Sequence, residues 1–284
     1  MCFIFKFLRG YAPLRPPLRI SENQLYNNVS NIPMPNIVVR LLSALVLVPI
    51  LVGGYMLGSP YWLIFLGIIT GLISLEWLKL IRNEAAIANA FCIGLFFVIF
   101  IILPSIPLWA VAFLGIPAAL VGQPQHRSLA LFTGVYVALP MLTILLVSDI
   151  SANSLLWLAS VVWLTDTFAL IFGKTIGGPK LAPSLSPNKT WAGLFGGLFG
   201  ALAVTGVFMV YVESATPALY VWAALVSLAG QAGDLFESKF KRMFDVKDSG
   251  ALIPGHGGIL DRMDRFLFAA PIVWALLAYG MIKL

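Results

Sequence analysis

Apolar runs of about 20 residues recur along the whole chain, and that is the length an α-helix needs to cross a hydrocarbon core about 30 Å thick. They cover 37–57, 60–80, 86–103, 105–122, 128–148, 151–173, 191–212, 216–236 and 266–283. Pro104 and Pro107 divide the third from the fourth within one longer apolar stretch. Of 284 residues, 60% are hydrophobic and 11% are charged, whereas a soluble domain is about half apolar and about one quarter charged. No single soluble core hides that much apolar surface. The expected fold class is therefore all-α: a polytopic integral membrane helical bundle of about nine transmembrane helices.

Positive charge sets the expected orientation. With the N-terminus in the cytoplasm, every one of the 18 Lys and Arg residues except Lys283 falls on an inside segment, as the positive-inside rule requires. The formal net charge of +6 is then explained by orientation and anionic lipid headgroups, with no nucleic acid among the expected partners. Cys2 and Cys92 are far apart and give neither a disulfide framework nor a CxxC metal pattern. Residues 1–33 carry Lys6, Arg9, Arg15 and Arg19 among prolines and a polar stretch. They read as a disordered or interfacial arm, or as a segment preceding a true start at Met34, a choice that intact mass of the native protein decides. Residues 34–149 then form N-terminal transmembrane helices, and 150–284 a C-terminal region holding two long inside loops.

Loops longer than about 12–15 residues are usually functional or disordered. The first, Gly173 to Thr190, contains Lys174, Lys180 and Lys189, hydroxyls including Ser186 and Thr190, and no acid. Glycines let backbone N–H groups approach an anion, and lysines supply point charges for phosphate. Thr190 suits an N-cap for a helix from Trp191, whose N-terminus would favour a phosphate. The same composition also suits a basic loop that obeys the positive-inside rule. The second, Glu237 to Arg265, interleaves acids and bases: Ser238, Lys241 and Arg242, then Lys247 and Asp248, then Gly255-His256-Gly257-Gly258, then Asp261, Arg262 and Asp264. Asp261 and Asp264 are spaced i, i+3 and share a helix face. Two such carboxylates beside a glycine turn suit Mg²⁺, which completes its shell with water and substrate phosphate. A surface helix with local ion pairs to Arg262 and Arg265 is the competing reading.

Glu76, Asp166 and Asp234 lie inside predicted spans, all in the inside third. Intramembrane carboxylates are costly unless paired, wetted or coordinating an ion, so all three are functional candidates. Glu76 equally suits a carboxylate snorkelling near Lys79. Such residues also mark the ion pathways of transporters, but those sit near the midplane of broken helices. Here they gather on one side with both long loops. His256 suits an acid–base role, a ligand role or a tight turn. His126 reads as solvated, and the tryptophans, Trp157, Trp163 and Trp191 among them, as packing and interface anchors.

The stretch Ser238-Lys-Phe-Lys-Arg-Met-Phe-Asp-Val-Lys-Asp-Ser-Gly-Ala-Leu-Ile-Pro-Gly-His-Gly-Gly-Ile-Leu-Asp-Arg-Met-Asp264 resembles the signature of the phosphatidate cytidylyltransferases, or CDP-diacylglycerol synthases. So do Gly233-Asp-Leu-Phe-Glu-Ser238, Asp166-Thr-Phe-Ala169 and Leu181-Ala-Pro-Ser-Leu-Ser-Pro-Asn-Lys-Thr-Trp191. The likeness is close over 150–284 and extends to the first 150 residues only in span pattern. Ala192 and Arg265 depart from the family's usual residues, and Arg265 adds a charge beside the site.

The resemblance implies that CTP and phosphatidic acid give CDP-diacylglycerol and pyrophosphate at a bacterial inner (plasma) membrane, with the active site facing the cytoplasm. It implies Mg²⁺ together with a second cation, on Asp234 and Asp261; Asp264 and Asp166 are further candidate ligands by their place beside these. Lys189, Lys241 and Arg242 are the expected phosphate-neutralising side chains. Lys174, Lys180, Ser186, Thr190, Ser238, Lys247, Asp248, His256, Gly257, Gly258 and Arg262 are expected to line the substrates. CTP-dependent enzymes with other lipid acceptors, transporters and inactive scaffolds are the alternatives. The oligomeric state stays open, a homodimer included.

Overall fold

The computed structural model describes residues 53–103, 107–121, 126–250 and 258–284. The N-terminal arm, most of the first expected span, His256 and Gly257 lie outside these. Residues 53–56 are helical, and Tyr55 meets Trp62 edge-on at 5.9 Å. The helices that follow are α1 (Tyr61–Leu80), α2 (Ala86–Ile102), α3 (Ile116–Val121), α4 (Arg127–Ile150), α5 (Ala152–Thr175), α6 (Trp191–Tyr211), α7 (Ala218–Met243) and α8 (Leu260–Ala278). Among the described residues, α1, α4, α5, α6 and α7 are long and apolar enough to cross a membrane. The protein is a predominantly helical membrane protein.

Three features differ from the sequence expectation. The run 105–122 is not one continuous helix. Pro107 adopts an extended backbone, and a 3₁₀ stretch, Leu108–Gly115, leads into the six-residue α3. Proline lacks the N–H that a helix interior needs, so the chain starts afresh beyond it. Second, the class is not purely α. The loop after α5 folds into an antiparallel hairpin of β1 (Lys180–Ala182) and β2 (Ser186–Thr190), with Lys180 opposite Thr190 and Ala182 opposite Ser186. Gly177 and Gly178, at φ +65° and +90°, turn the chain into it, a backbone region that side chains with a Cβ disfavour. Third, α7 runs seven residues past the expected 236 and α8 starts six before 266. Most of the chemistry expected on a loop therefore stands on two helices.

The long helices are held by close approach and by aromatic packing. Gly193, Gly196, Gly197 and Gly200 line the side of α6 that faces α5, and a Cβ at Gly200 would lie 2.6 Å from the Leu164 carbonyl oxygen. Buried Trp157 of α5 donates its indole N–H to Thr205 Oγ1 of α6 at 3.1 Å. Trp77 of α1 packs against Tyr136 of α4 and Phe240 of α7, with ring centroids 4.7 and 4.9 Å apart. Phe236 bridges Tyr136 and Phe268 of α8 at 5.4 and 5.3 Å. This aromatic layer packs α7 against α1, α4 and α8. Aromatic pairs of this kind contribute about 0.5–1.5 kcal/mol each beyond burial.

Candidate active site

Asp234, Glu237 and Lys241 follow one another along α7 at i, i+3 and i+7, a spacing that places them on one helical face. Asp261, Asp264 and Arg265 do the same on the first turns of α8. The two faces meet because α7 and α8 pack tightly: a Cβ at Gly233 would lie 2.5 Å from the Asp264 carbonyl oxygen. Glycine at 233 is therefore a condition of the site's geometry.

Two linked charge groups result. In the first, Lys189 Nζ at the end of the hairpin lies 2.7 Å from Asp234 Oδ1, and Arg265 Nη2 lies 2.6 Å from Asp234 Oδ2. The other Arg265 nitrogen, Nη1, pairs with Asp166 Oδ1 on α5. In the second, Lys241 Nζ sits 2.7 Å from Asp261 Oδ1 and 3.2 Å from Glu237 Oε1. Asp261 also accepts the backbone N–H groups of Ser249, at 3.2 Å, and Gly258, at 2.8 Å, both on Oδ2. Asp264 is buried between the groups and accepts the Arg265 N–H at 2.7 Å. The competing reading of Asp261 in a local surface ion pair is replaced by this longer-range pairing with Lys241.

Burial pushes the Lys189 ammonium below the usual lysine range, and the Asp234 charge opposes that only in part. Next to it, Thr190 is buried and its Oγ1 accepts the Gly193 N–H at 3.1 Å, capping α6 as expected. A helix N-terminus carries partial positive charge, so the hairpin's end, the α6 cap, Lys189 and Arg265 together form a region suited to an anion.

Glu76 and Glu237 complete the site. Glu76 is 2% exposed, not snorkelling. Its Oε2 accepts the Leu260 N–H at 2.7 Å and approaches Ser249 Oγ at 3.5 Å. It thereby fastens Ser249 of the α7–α8 connection and the first residue of α8, beside Asp261. Glu237 is fully buried, and its signal in the sequence was its spacing from Asp234 and Lys241.

The structure thus brings Asp166, Lys189, Thr190, Asp234, Lys241, Asp261 and Asp264 together, with Gly258 buried beside them. Ser186, Ser238 and Arg262 are half-buried nearby in sequence, while Lys174, Lys180, Arg242, Lys247 and Asp248 are exposed.

Among the described residues, no three acidic, His or Cys side chains converge as a ready-made metal cage. The donor chemistry nonetheless fits a hard divalent cation. The ion pairs that tie the site together set three cations, Lys189, Lys241 and Arg265, against Asp166, Asp234, Glu237 and Asp261, with buried Asp264 between them. Acid is in excess in a desolvated place. Mg²⁺ asks for only one or two carboxylates, taking its remaining ligands from water and phosphate.

The chain is similar in sequence to known proteins. A phosphatidate cytidylyltransferase from Staphylococcus saprophyticus is 50% identical over 119 residues, 41% of this chain and 46% of that protein. One from Brucella melitensis is 47% identical over 125 residues, 43% and 46% of the two chains. One from Rickettsia bellii is 40% identical over 152 residues, 49% and 65%. The chain thus spans about half the length of the first two relatives it matches. The model of the cytidylyltransferase family matches residues 38–280, which take in the hairpin, both charge groups and every long helix described, and the chain belongs to that family.

Proposed function

We propose that this chain is a phosphatidate cytidylyltransferase, converting CTP and phosphatidic acid to CDP-diacylglycerol and pyrophosphate. The observation that carries the reading is the meeting of Lys189, Arg265 and Lys241 with five buried or half-buried acids at the end of a membrane helix bundle. The similarity to phosphatidate cytidylyltransferases supports the substrates.

In this reaction a phosphate oxygen of the lipid forms a bond to the α-phosphorus of CTP. The bond from that phosphorus to the bridging oxygen breaks, and pyrophosphate departs with the electron pair. The nucleophile is already anionic, so no general base is required. The difficulty is to bring two polyanions together, and positioning with charge neutralisation answers it. Lys189, held by Asp234, meets one phosphate, while Lys241 and the exposed Arg242 meet the leaving group. Bound Mg²⁺ would supply Lewis-acid charge to the phosphate oxygens. Asp234 and Asp261 are its proposed ligands, with Asp264 and Asp166 beside them, and a second cation is compatible with the same acids. The remaining loop groups, from Lys174 and Lys180 to Lys247, Asp248 and Arg262, line the approach of the nucleotide.

The finer topology belongs to the same reading. Nine spans with the N-terminus in the cytoplasm put the hairpin and the α7–α8 connection on the cytoplasmic side, where CTP is. The acyl chains stay in the bilayer of the bacterial inner membrane, and a homodimer is one assembly open to the chain.

The test is CTP-dependent pyrophosphate release by purified protein in detergent–lipid micelles, with and without phosphatidic acid and Mg²⁺, beside Asp261→Asn. Release that needs both lipid and metal, and is lost in a folded variant, supports the assignment. Release with another phosphorylated lipid in preference to phosphatidic acid transfers it to a different acceptor. No release from well-folded protein across several lipids and nucleotides sinks it.

A further inference from the structure

The α7–α8 connection enters and leaves between two carboxylates. On one side, Asp261 Oδ2 accepts the backbone N–H groups of Ser249, at 3.2 Å, and Gly258, at 2.8 Å. On the other, Glu76 Oε2 approaches Ser249 Oγ at 3.5 Å and accepts the Leu260 N–H at 2.7 Å. Backbone lies directly on the Glu76 carboxylate there: a Cβ at Gly250 would collide with Oε1, and one at Gly258 with Oε2. Ser249 and Gly258, whose N–H groups hold Asp261, are therefore packed from behind by Glu76. We propose that Glu76 is a positioning residue: it sets the place of the Asp261 carboxylate by fixing the two backbone donors and the helix turn that hold it. This deepens the function proposed above and rests on its assignment of Asp261 as a cation ligand.

Glu76 stands on a well-anchored part of the bundle. The adjacent Trp77 is fully buried, donates its indole N–H to the Leu129 carbonyl at 3.3 Å and packs on Phe240. Burying a carboxylate is costly unless it accepts hydrogen bonds, and an apolar side chain would suffice merely to cover the connection. The carboxylate does what an apolar group cannot. It accepts the N–H of Leu260, the first residue of α8, a group that has no acceptor within its own helix. The turn that carries Asp261 is thereby tied to α1. Groups that orient a metal ligand from behind typically govern metal affinity or activity by about 10–100-fold.

The experiment is Mn²⁺ binding followed by electron paramagnetic resonance, on full-length protein in detergent micelles after removal of metal with a chelator. The Kd for Mn²⁺ should rise about 10–100-fold in Glu76→Ala. It should recover in part in Glu76→Gln, which keeps an oxygen for the Leu260 N–H. It should stay at the wild-type value in Gly200→Ala, which strains the α5–α6 contact instead. A wild-type Kd in folded Glu76→Ala overturns the proposal. An equal rise in Gly200→Ala also overturns it, by assigning the effect to lost stability. Should Glu76→Ala not fold, Glu76→Asp decides, since it keeps the charge but is one carbon too short: a raised Kd supports the proposal and a wild-type Kd overturns it. Failure of wild type to bind Mn²⁺ would overturn the cation assignment of Asp261 and the proposal with it. Binding by wild type that the Glu76 variants leave unchanged overturns the proposal alone.

Discussion

Glu76 Oε2 accepts the Leu260 N–H at 2.7 Å, across 184 positions of sequence. The carboxylate of α1 thereby closes the first turn of α8, where negative charge is favoured by the helix dipole. Removing it leaves a buried amide without an acceptor, which costs roughly 1–3 kcal/mol. Glu76→Ala should lower the unfolding temperature by several degrees, at about 2–4 °C per kcal/mol for a chain of this order of size. Glu76→Gln keeps an acceptor oxygen and should lose less. Hydrogen exchange at 258–262 should quicken in the Ala variant, and wild-type protection there would contradict the fastening role.

Lys189 links the hairpin to α7 through Asp234. Lys189→Met leaves Asp234 to Arg265 alone and takes a cation from the anion region beside the α6 cap. Loss of one preorganised donor to developing charge typically costs about 10²–10³-fold in turnover, and that is the expected fall in CTP-dependent pyrophosphate release. Lys189→Arg should recover part of it, because charge is kept while the point geometry is not. Full activity in Lys189→Met would remove Lys189 from the reaction.

The helices most legible in the sequence were those whose apolar length alone defines them. The runs 60–80, 151–173 and 191–212 match α1, α5 and α6 to within a few residues. Where charge interrupts the apolar run, length misleads. The run 216–236 ended where Glu237 begins the charged stretch, yet α7 continues to Met243, with Asp234, Glu237 and Lys241 on one face. The i, i+3, i+7 spacing of Asp234, Glu237 and Lys241 was the available signal. The hairpin was hidden for a different reason. Its strands are three and five residues long, with too few positions to show alternation. Asp234, Asp261 and Lys189 could be singled out by residue type and place. Their partners could not, since Arg265 pairs with two other helices, and Glu76 with a connection far along the chain, only once the bundle is packed.

Gly200 tests the packing without touching the charge groups. A Cβ there would meet the Leu164 carbonyl oxygen at 2.6 Å and the Phe168 ring at 2.9 Å. Backbone cannot rotate away as a side chain does, so α5 and α6 must separate. Overpacking of this kind costs about 1–3 kcal/mol. Gly200→Ala should lower the unfolding temperature, whereas Gly53→Ala, with nothing within 4 Å of the added carbon, should not. Equal unfolding temperatures for both variants would show that the α5–α6 contact yields more readily than the geometry implies.

His126 gives the chain an acid-sensitive contribution to stability. It is buried beside Phe244, ring centroids 5.3 Å apart, rather than solvated as its loop position suggests. Burial, and then the positive charge of Arg82, holds its imidazole below the ordinary histidine value. As pH falls below about 6.5, the unfolded chain takes up a proton that the folded chain refuses, so unfolding gains. The contribution is therefore full above that value and declines as pH falls through the folded one. Comparing unfolding temperatures at about pH 7.5 and about pH 5 should reveal a drop in wild type that narrows in His126→Leu, which has no proton to take up. An equal drop in the variant would assign the acid sensitivity to the carboxylates of the active site instead.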